Sequence, residues 1–155
     1  MAGEPYLAVQ QAAAPPNRSR SRQMSAARTD GVAASSWKAD LIAKGTLLAE
    51  SLRIGAEVSV PGLRLARVSR RDMSASVTAD QPPVWTVLEF EADDDAADAL
   101  ADSLARSLLA DGGWHADFQA DGDHVVVFAG KVFRYRRGDP GGRAEATGYG
   151  RRAGA

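Results

Sequence analysis

Asp121-Gly122 separates two short runs, WHADFQA (114–120) and HVVVFAG (124–130), and this arrangement limits the fold more tightly than any other feature of the chain. An Asp-Gly pair tolerates the positive φ angles of a type I′ turn, whose twist matches the strands of an antiparallel hairpin. Such a turn also sets the register: Ala120 opposes Asp123, and each step outward pairs the next two residues. Trp114, Ala116 and Phe118 then oppose Ala129, Val127 and Val125 on a uniformly apolar face. His115 and Asp117 share the other face with Gln119 and its partner His124. The apolar side of the hairpin is suited to lie on a helix.

That helix is predicted in DDDAADALADSLARSLLADGG (93–113). Its opening aspartates suit a helix N-terminus, both as caps and against the macrodipole. Ala97, Leu100, Leu104 and Leu108 form one apolar stripe, and Gly112-Gly113 supply a stop. Upstream, WTVLEFE (85–91) has the composition of a strand, with Leu88 and Phe90 alternating with Glu89 and Glu91. PGLRLARVSRRD (61–72) leaves a Pro-Gly turn and alternates Leu63, Arg64 and Leu65, which predicts a strand with one dry face. Residues 73–83 form a loop closed by two prolines. In KADLIAKGTLLAESLR (38–53), Leu41, Gly45, Leu48 and Leu52 keep helical spacing, but Gly45 favours a break followed by a strand.

After Gly130, VFRYRR either continues the hairpin strand or folds back as another. In an unbroken strand Phe133 and Tyr135 would join Val125 and Val127 on the core side, leaving His124, Arg134 and Arg136 outside. The expected fold class is α+β: a mostly antiparallel sheet of four to five strands with one main helix (94–111) packed on one face. The expected organisation is a disordered leader (1–36), a single α+β domain (37–140), and a C-terminal stretch (141–155) that is poorly ordered or a short helix. The leader has few large hydrophobes to offset its ordering entropy. Gly148 and Gly150 weaken any helix at the other end.

Composition excludes several classes of function. The chain has no cysteine, hence no disulfide, thiolate zinc site or cysteine nucleophile, which fits a cytoplasmic protein. The first residues lack the basic and apolar regions of a signal peptide, and no apolar run approaches the length of a membrane span. With 19 basic and 20 acidic residues there is no global pull toward nucleic acid or an anionic membrane. The charges are nonetheless segregated. Residues 89–123 hold eleven acids against Arg106 alone, and 131–155 hold seven bases against two acids. The leader is basic through Arg18, Arg20, Arg22 and Arg28, which fits a solvated segment better than a phosphate-binding arm.

Four constellations could carry chemistry. His115 and Asp117, with His124 across the hairpin, are the candidate metal ligands, but the two histidines lie roughly 10 Å apart along the strands. That spacing argues for no metal site, and no cofactor is called for. Glu89 and Glu91, about 7 Å apart at the backbone, fall within reach of two-carboxylate hydrolysis but equally solvate a strand. Arg134, Arg136 and Arg137 are the candidate binding residues, a basic face with Tyr135 available for stacking. The pattern FRYRR lacks the Lys/Arg-Gly and spaced aromatics of RNA-recognition strands, which disfavours nucleic acid. RGD at 137–139 reads as a turn at Gly138 followed by a loop from Asp139-Pro140.

The run GWHADFQADGDHVVVFAGKVFRYRRGD with GRAEA (113–146) resembles a family of small proteins from high-GC actinobacteria. The shared pattern is Gly-Trp-x-x-Asp-Phe, Val-Val-Phe-x-Gly and Phe-Arg-Tyr-x-Arg-Gly-Asp, and the resemblance covers about residues 46–146. The family has no assigned activity, so no catalytic residue is carried over. The chain departs from the pattern in its glycine-broken C-terminal stretch. Taken together, the residues point to a non-catalytic protein-interaction module, with a partner protein or a second copy as its ligand. The alternatives are a small enzyme or metal-dependent hydrolase using His115 and Asp117, and a nucleic-acid binder using the basic face.

Overall fold

A computed structural model describes residues 42–155. The expected leader (1–36) and the expected start of order at Trp37 lie outside the described residues. The strands are β1 (Ile42–Leu48), β2 (Arg64–Asp72), β3 (Val84–Asp93), β4 (His115–Ala120), β5 (Asp123–Phe128) and β6 (Lys131–Arg136). They form one antiparallel sheet in the order β2-β3-β1-β4-β5-β6. The fold is α+β, with six strands where four or five were expected.

Two glycines account for the departures from the expected sheet. Gly45 does not break the chain; it sits in the middle of β1, opposite both Phe90 and Phe118. A side chain there would collide with Phe118 and approach the Phe90 ring to 2.6 Å. The glycine lets these two rings meet edge-on, at 6.1 Å between centroids. Gly130, at φ +69°, reverses the chain, so VFRYRR folds back as β6. Phe133 then opposes Val126 and Tyr135 opposes His124. Both aromatics therefore lie on the face away from Val125 and Val127, the reverse of the expectation for an unbroken strand. Arg134 opposes Val125 on the other face.

The hairpin register is as Asp121-Gly122 dictates: Ala116 faces Val127, Phe118 faces Val125 and Gln119 faces His124. Its apolar face packs on helix α1 (Ala97–Ser107), which follows a 3₁₀ turn at Asp94–Ala96. Ala97, Leu100, Leu104 and Leu108 are buried together with Ala43, Leu47, Phe90, Phe118, Val125 and Val127. Each fully buried leucine contributes about 1.5–3 kcal/mol. The aspartates do not cap the helix through their side chains. Instead Asp94 Oδ1 accepts from the Asp121 backbone N–H at 3.0 Å, tying the helix start to the hairpin turn.

Helix α1 also ends earlier than Gly112-Gly113 suggest. At Leu108 the backbone turns extended (φ −76°, ψ 149°) and bridges Leu52. Leu109 N–H donates to Ser51 O at 2.8 Å, and Arg53 N–H donates to Ser107 O at 2.9 Å. Pairing with the segment after β1 thus replaces the last helical turn.

The C-terminal stretch forms a second helix, α2 (Pro140–Ala153), so the sheet carries a helix on each face, not on one. Asp139 is its N-cap, accepting from Gly141 N–H at 2.9 Å, and Pro140 takes the first turn. The turn expected at Gly138 is present, at φ +86°, but Asp139-Pro140 start a helix where a loop was expected. Gly150, which weakens a helix in isolation, lets this one approach the sheet, as does Gly142. Position 142 lies against Tyr135 and position 150 against the Phe128 ring, where any Cβ would stand 3.1 Å from Cζ. Val126, Phe128 and Phe133 of the sheet are buried against Ala146 of α2, with Tyr135 of the sheet and Tyr149 of the helix packed alongside.

Candidate functional site

The predicted basic face is engaged within the chain, two of its three arginines by carboxylates. Arg134 pairs with Asp98 of α1 at 3.1 Å. Arg136 pairs with Asp123 at 3.3 Å and donates to Asp121 O at 3.1 Å. Arg137 donates to Gln119 Oε1 at 2.9 Å. The acidic block of 89–123 thus supplies counter-charges for Arg134 and Arg136, while Arg137 is held by a neutral amide. Arg137 and Gln119 also border a shallow depression of about 370 Å³ with Ile42, Asp94, Asp121 and Gly122. The three arginines are exposed, but they do not form one free cationic surface.

The predicted metal candidates separate. Both lie on the face of β4 toward α2, but His115 is buried beside Phe128 at 5.2 Å between ring centroids, and its Nδ1–H donates to Gly113 O at 3.2 Å. Burial holds its pKa below the usual 6.5, partly offset by the Gly113 hydrogen bond and the charge of Asp117. Asp117 engages His124 instead, accepting from Nε2–H at 3.2 Å. Because a carboxylate only accepts, Nε2 carries the proton and Nδ1 is free to accept from the Tyr135 hydroxyl at 3.1 Å. Burial raises the Tyr135 hydroxyl above its usual 10, against the pull of Arg143. Among the described residues, no group of three or more His, Cys, Asp or Glu is placed to hold a metal.

Asp117, His124 and Tyr135 thus form a hydrogen-bonded chain across β4, β5 and β6. The sequence register placed Asp117 and His124 on one face; it could not place Tyr135 there without knowing that the chain reverses at Gly130. The far end of this chain is pinned by the close approach of α2 at Gly142. Every ring or carboxyl group in it has a partner inside the fold.

The opposite end of the sheet is different. β2 pairs only with β3, so it is an edge of the described sheet. Leu65 opposes Phe90 and Val68 opposes Leu88, continuing the apolar face outward. Neither is covered: Leu65 is 60% and Val68 54% exposed. On the other face Arg64 opposes Glu91 and Arg67 opposes Glu89. Arg64 and Lys44 both pair with Glu91, at 3.0 and 3.2 Å, and Arg67 Nε donates to Glu89 Oε1 at 2.9 Å. These contacts keep the Glu91 carboxyl below its usual 4.5, with Lys44 the leading cause. The paired glutamates that suggested hydrolysis are therefore counter-ions in a cross-strand ladder. The expected dry face of β2 is an open one. Alternation identified the face, but position at the sheet edge depends on tertiary pairing; four arginines in nine residues were the available signal for an edge strand.

None of the described helices is long and apolar enough to cross a membrane. No family model, curated protein or solved structure matches this chain.

Proposed function

We propose that this chain is a non-catalytic protein-interaction module that takes its partner along β2. The observation that carries this reading is the exposure of Leu65 and Val68 on a strand that, among the described residues, has an unpaired edge. An exposed edge offers a row of backbone donors and acceptors to another extended chain, and flanking apolar side chains add to the contact. The other edge is less suited to this. β6 is shorter, its Phe133 is buried under α2, and Arg134 and Arg136 are held by Asp98, Asp121 and Asp123. The internal satisfaction of the Asp117–His124–Tyr135 chain supports a structural role for it. Membership of the actinobacterial family is part of the same proposal; the run that carries the resemblance builds β4, β5, β6 and the start of α2.

Site-specific photo-crosslinking in cells tests the reading. A photoreactive residue replacing Val68 is expected to capture one partner that the same residue at Ala99, on α1, does not. Leu65→Ser combined with a second probe at Arg70 should abolish that capture. Equal capture from position 99, or undiminished capture in the Leu65→Ser background, would overturn it.

A further inference from the structure

The inner edge of β2 already shows which kind of strand this sequence pairs with. Its neighbour β3 reads Val-Leu-Glu-Phe-Glu at 87–91. The apolar members, Leu88 and Phe90, meet Val68 and Leu65 on one face, while Glu89 and Glu91 meet Arg67 and Arg64 on the other. An irregularity between Leu65 and Arg67 absorbs one extra residue without mixing the two faces. The outer edge of β2 offers the same side chains, since each projects above or below the sheet and can be reached from either side.

The cations on that edge are not saturated. Arg64 and Arg67 remain half exposed beside their glutamates. Arg71, on the same face, makes no ion pair among the described residues, and Arg70 reaches only the Thr86 hydroxyl, at 3.3 Å. Building on the interaction reading above, we infer that the outer edge of β2 binds an extended segment of another protein in which apolar and acidic residues alternate. Its apolar side chains lie beside Leu65 and Val68, and its carboxylates lie beside Arg64, Arg67 and Arg71.

The charge pattern excludes the simplest alternatives. A second copy pairing through its own β2 would gather eight arginines at one junction against two Asp72 carboxylates, an unfavourable excess of like charge. The chain's own leader is no better matched, because Arg18, Arg20, Arg22 and Arg28 outnumber Glu4 and Asp30. Phosphates could meet the arginines, but they would leave Leu65 and Val68 uncovered.

A fluorescent peptide copying residues 86–92 (TVLEFEA), titrated into the full chain and followed by polarisation, supplies the test. Binding is expected, and it should weaken as salt is raised. The same peptide with both glutamates replaced by lysine should bind about tenfold more weakly or not at all. Arg67→Glu/Arg71→Glu should reverse that preference; the two peptides on the unaltered chain decide the matter even if this variant fails to fold. Equal binding of both peptides, no binding of either, or displacement by an RNA oligonucleotide would overturn the inference. If position 68 still captures a partner in cells while the acidic peptide fails, the docking edge stands and the assigned partner chemistry is wrong. If neither occurs, both are wrong.

Discussion

Arg67 and Glu89 face each other across the β2–β3 ladder, with Arg67 Nε donating to Glu89 Oε1 at 2.9 Å. One residue further on, Val68 and Leu88 meet on the opposite face. This two-sided match, ionic above and apolar below, joins β2 to the sheet and, among the described residues, leaves its second edge without a partner strand. An exposed ion pair of this kind contributes only about 0.2–1 kcal/mol, so its value lies more in choosing a partner and a register than in stability.

Gly45 is fixed by crowding. Gly45→Ala should destabilise the fold by about 1–3 kcal/mol, because the added methyl collides with Phe118 and the Phe90 ring. Urea denaturation should show a lower midpoint with an unchanged slope.

The glycines of α2 divide by what lies next to them. Gly142→Ala should lower stability, since its Cβ would press on Tyr135. Gly148→Ala meets only the mobile end of Arg152, at 3.5 Å, and should raise stability by about 0.5–1 kcal/mol through helix propensity. Thermal melting of the two variants should shift in opposite directions.

Acid should weaken the fold through His115. Its folded pKa lies below the usual 6.5 because the ring is buried, so the unfolded chain takes up a proton first. The stabilising contribution is complete above about pH 6.5 and is lost as pH falls through the folded value. Urea midpoints measured from about pH 8 to about pH 5 should decline, and His115→Gln should flatten that decline. An unchanged slope in the variant would show that burial of this ring is not the cause.

The hydroxyl of Tyr135 is worth measuring against its histidine. Tyr135→Phe should cost about 0.5–1.5 kcal/mol, since it leaves His124 Nδ1 without its donor. A double-mutant cycle with His124→Ala should show that this loss disappears once the imidazole is gone.

Much of the helix-facing core was legible in the sequence because local rules decide it. Asp121-Gly122 fixes a hairpin register, and the Leu100–Leu104–Leu108 stripe can only face inward. Where the reading failed, contacts distant in sequence override local preference. Gly45 looks like a breaker until Phe90 and Phe118 are brought across it. Gly150 looks like a weak point until Phe128 lies beneath it. The candidate arginines were visible as charges, but their engagement by Asp98, Asp121, Asp123 and Gln119 depends on where β6 folds back. The openness of Leu65 and Val68 could not be read from alternation, which gives the face of a strand and not its place in the sheet.

Amide hydrogen exchange tests docking at β2 most directly. The full chain is labelled with and without the TVLEFEA peptide, and exchange is compared over residues 64–72 and 131–136. Slower exchange confined to 64–72 is the predicted result. Slower exchange at 131–136 instead, or no change at either edge at a saturating peptide concentration, would contradict β2 as the site where a partner strand is added.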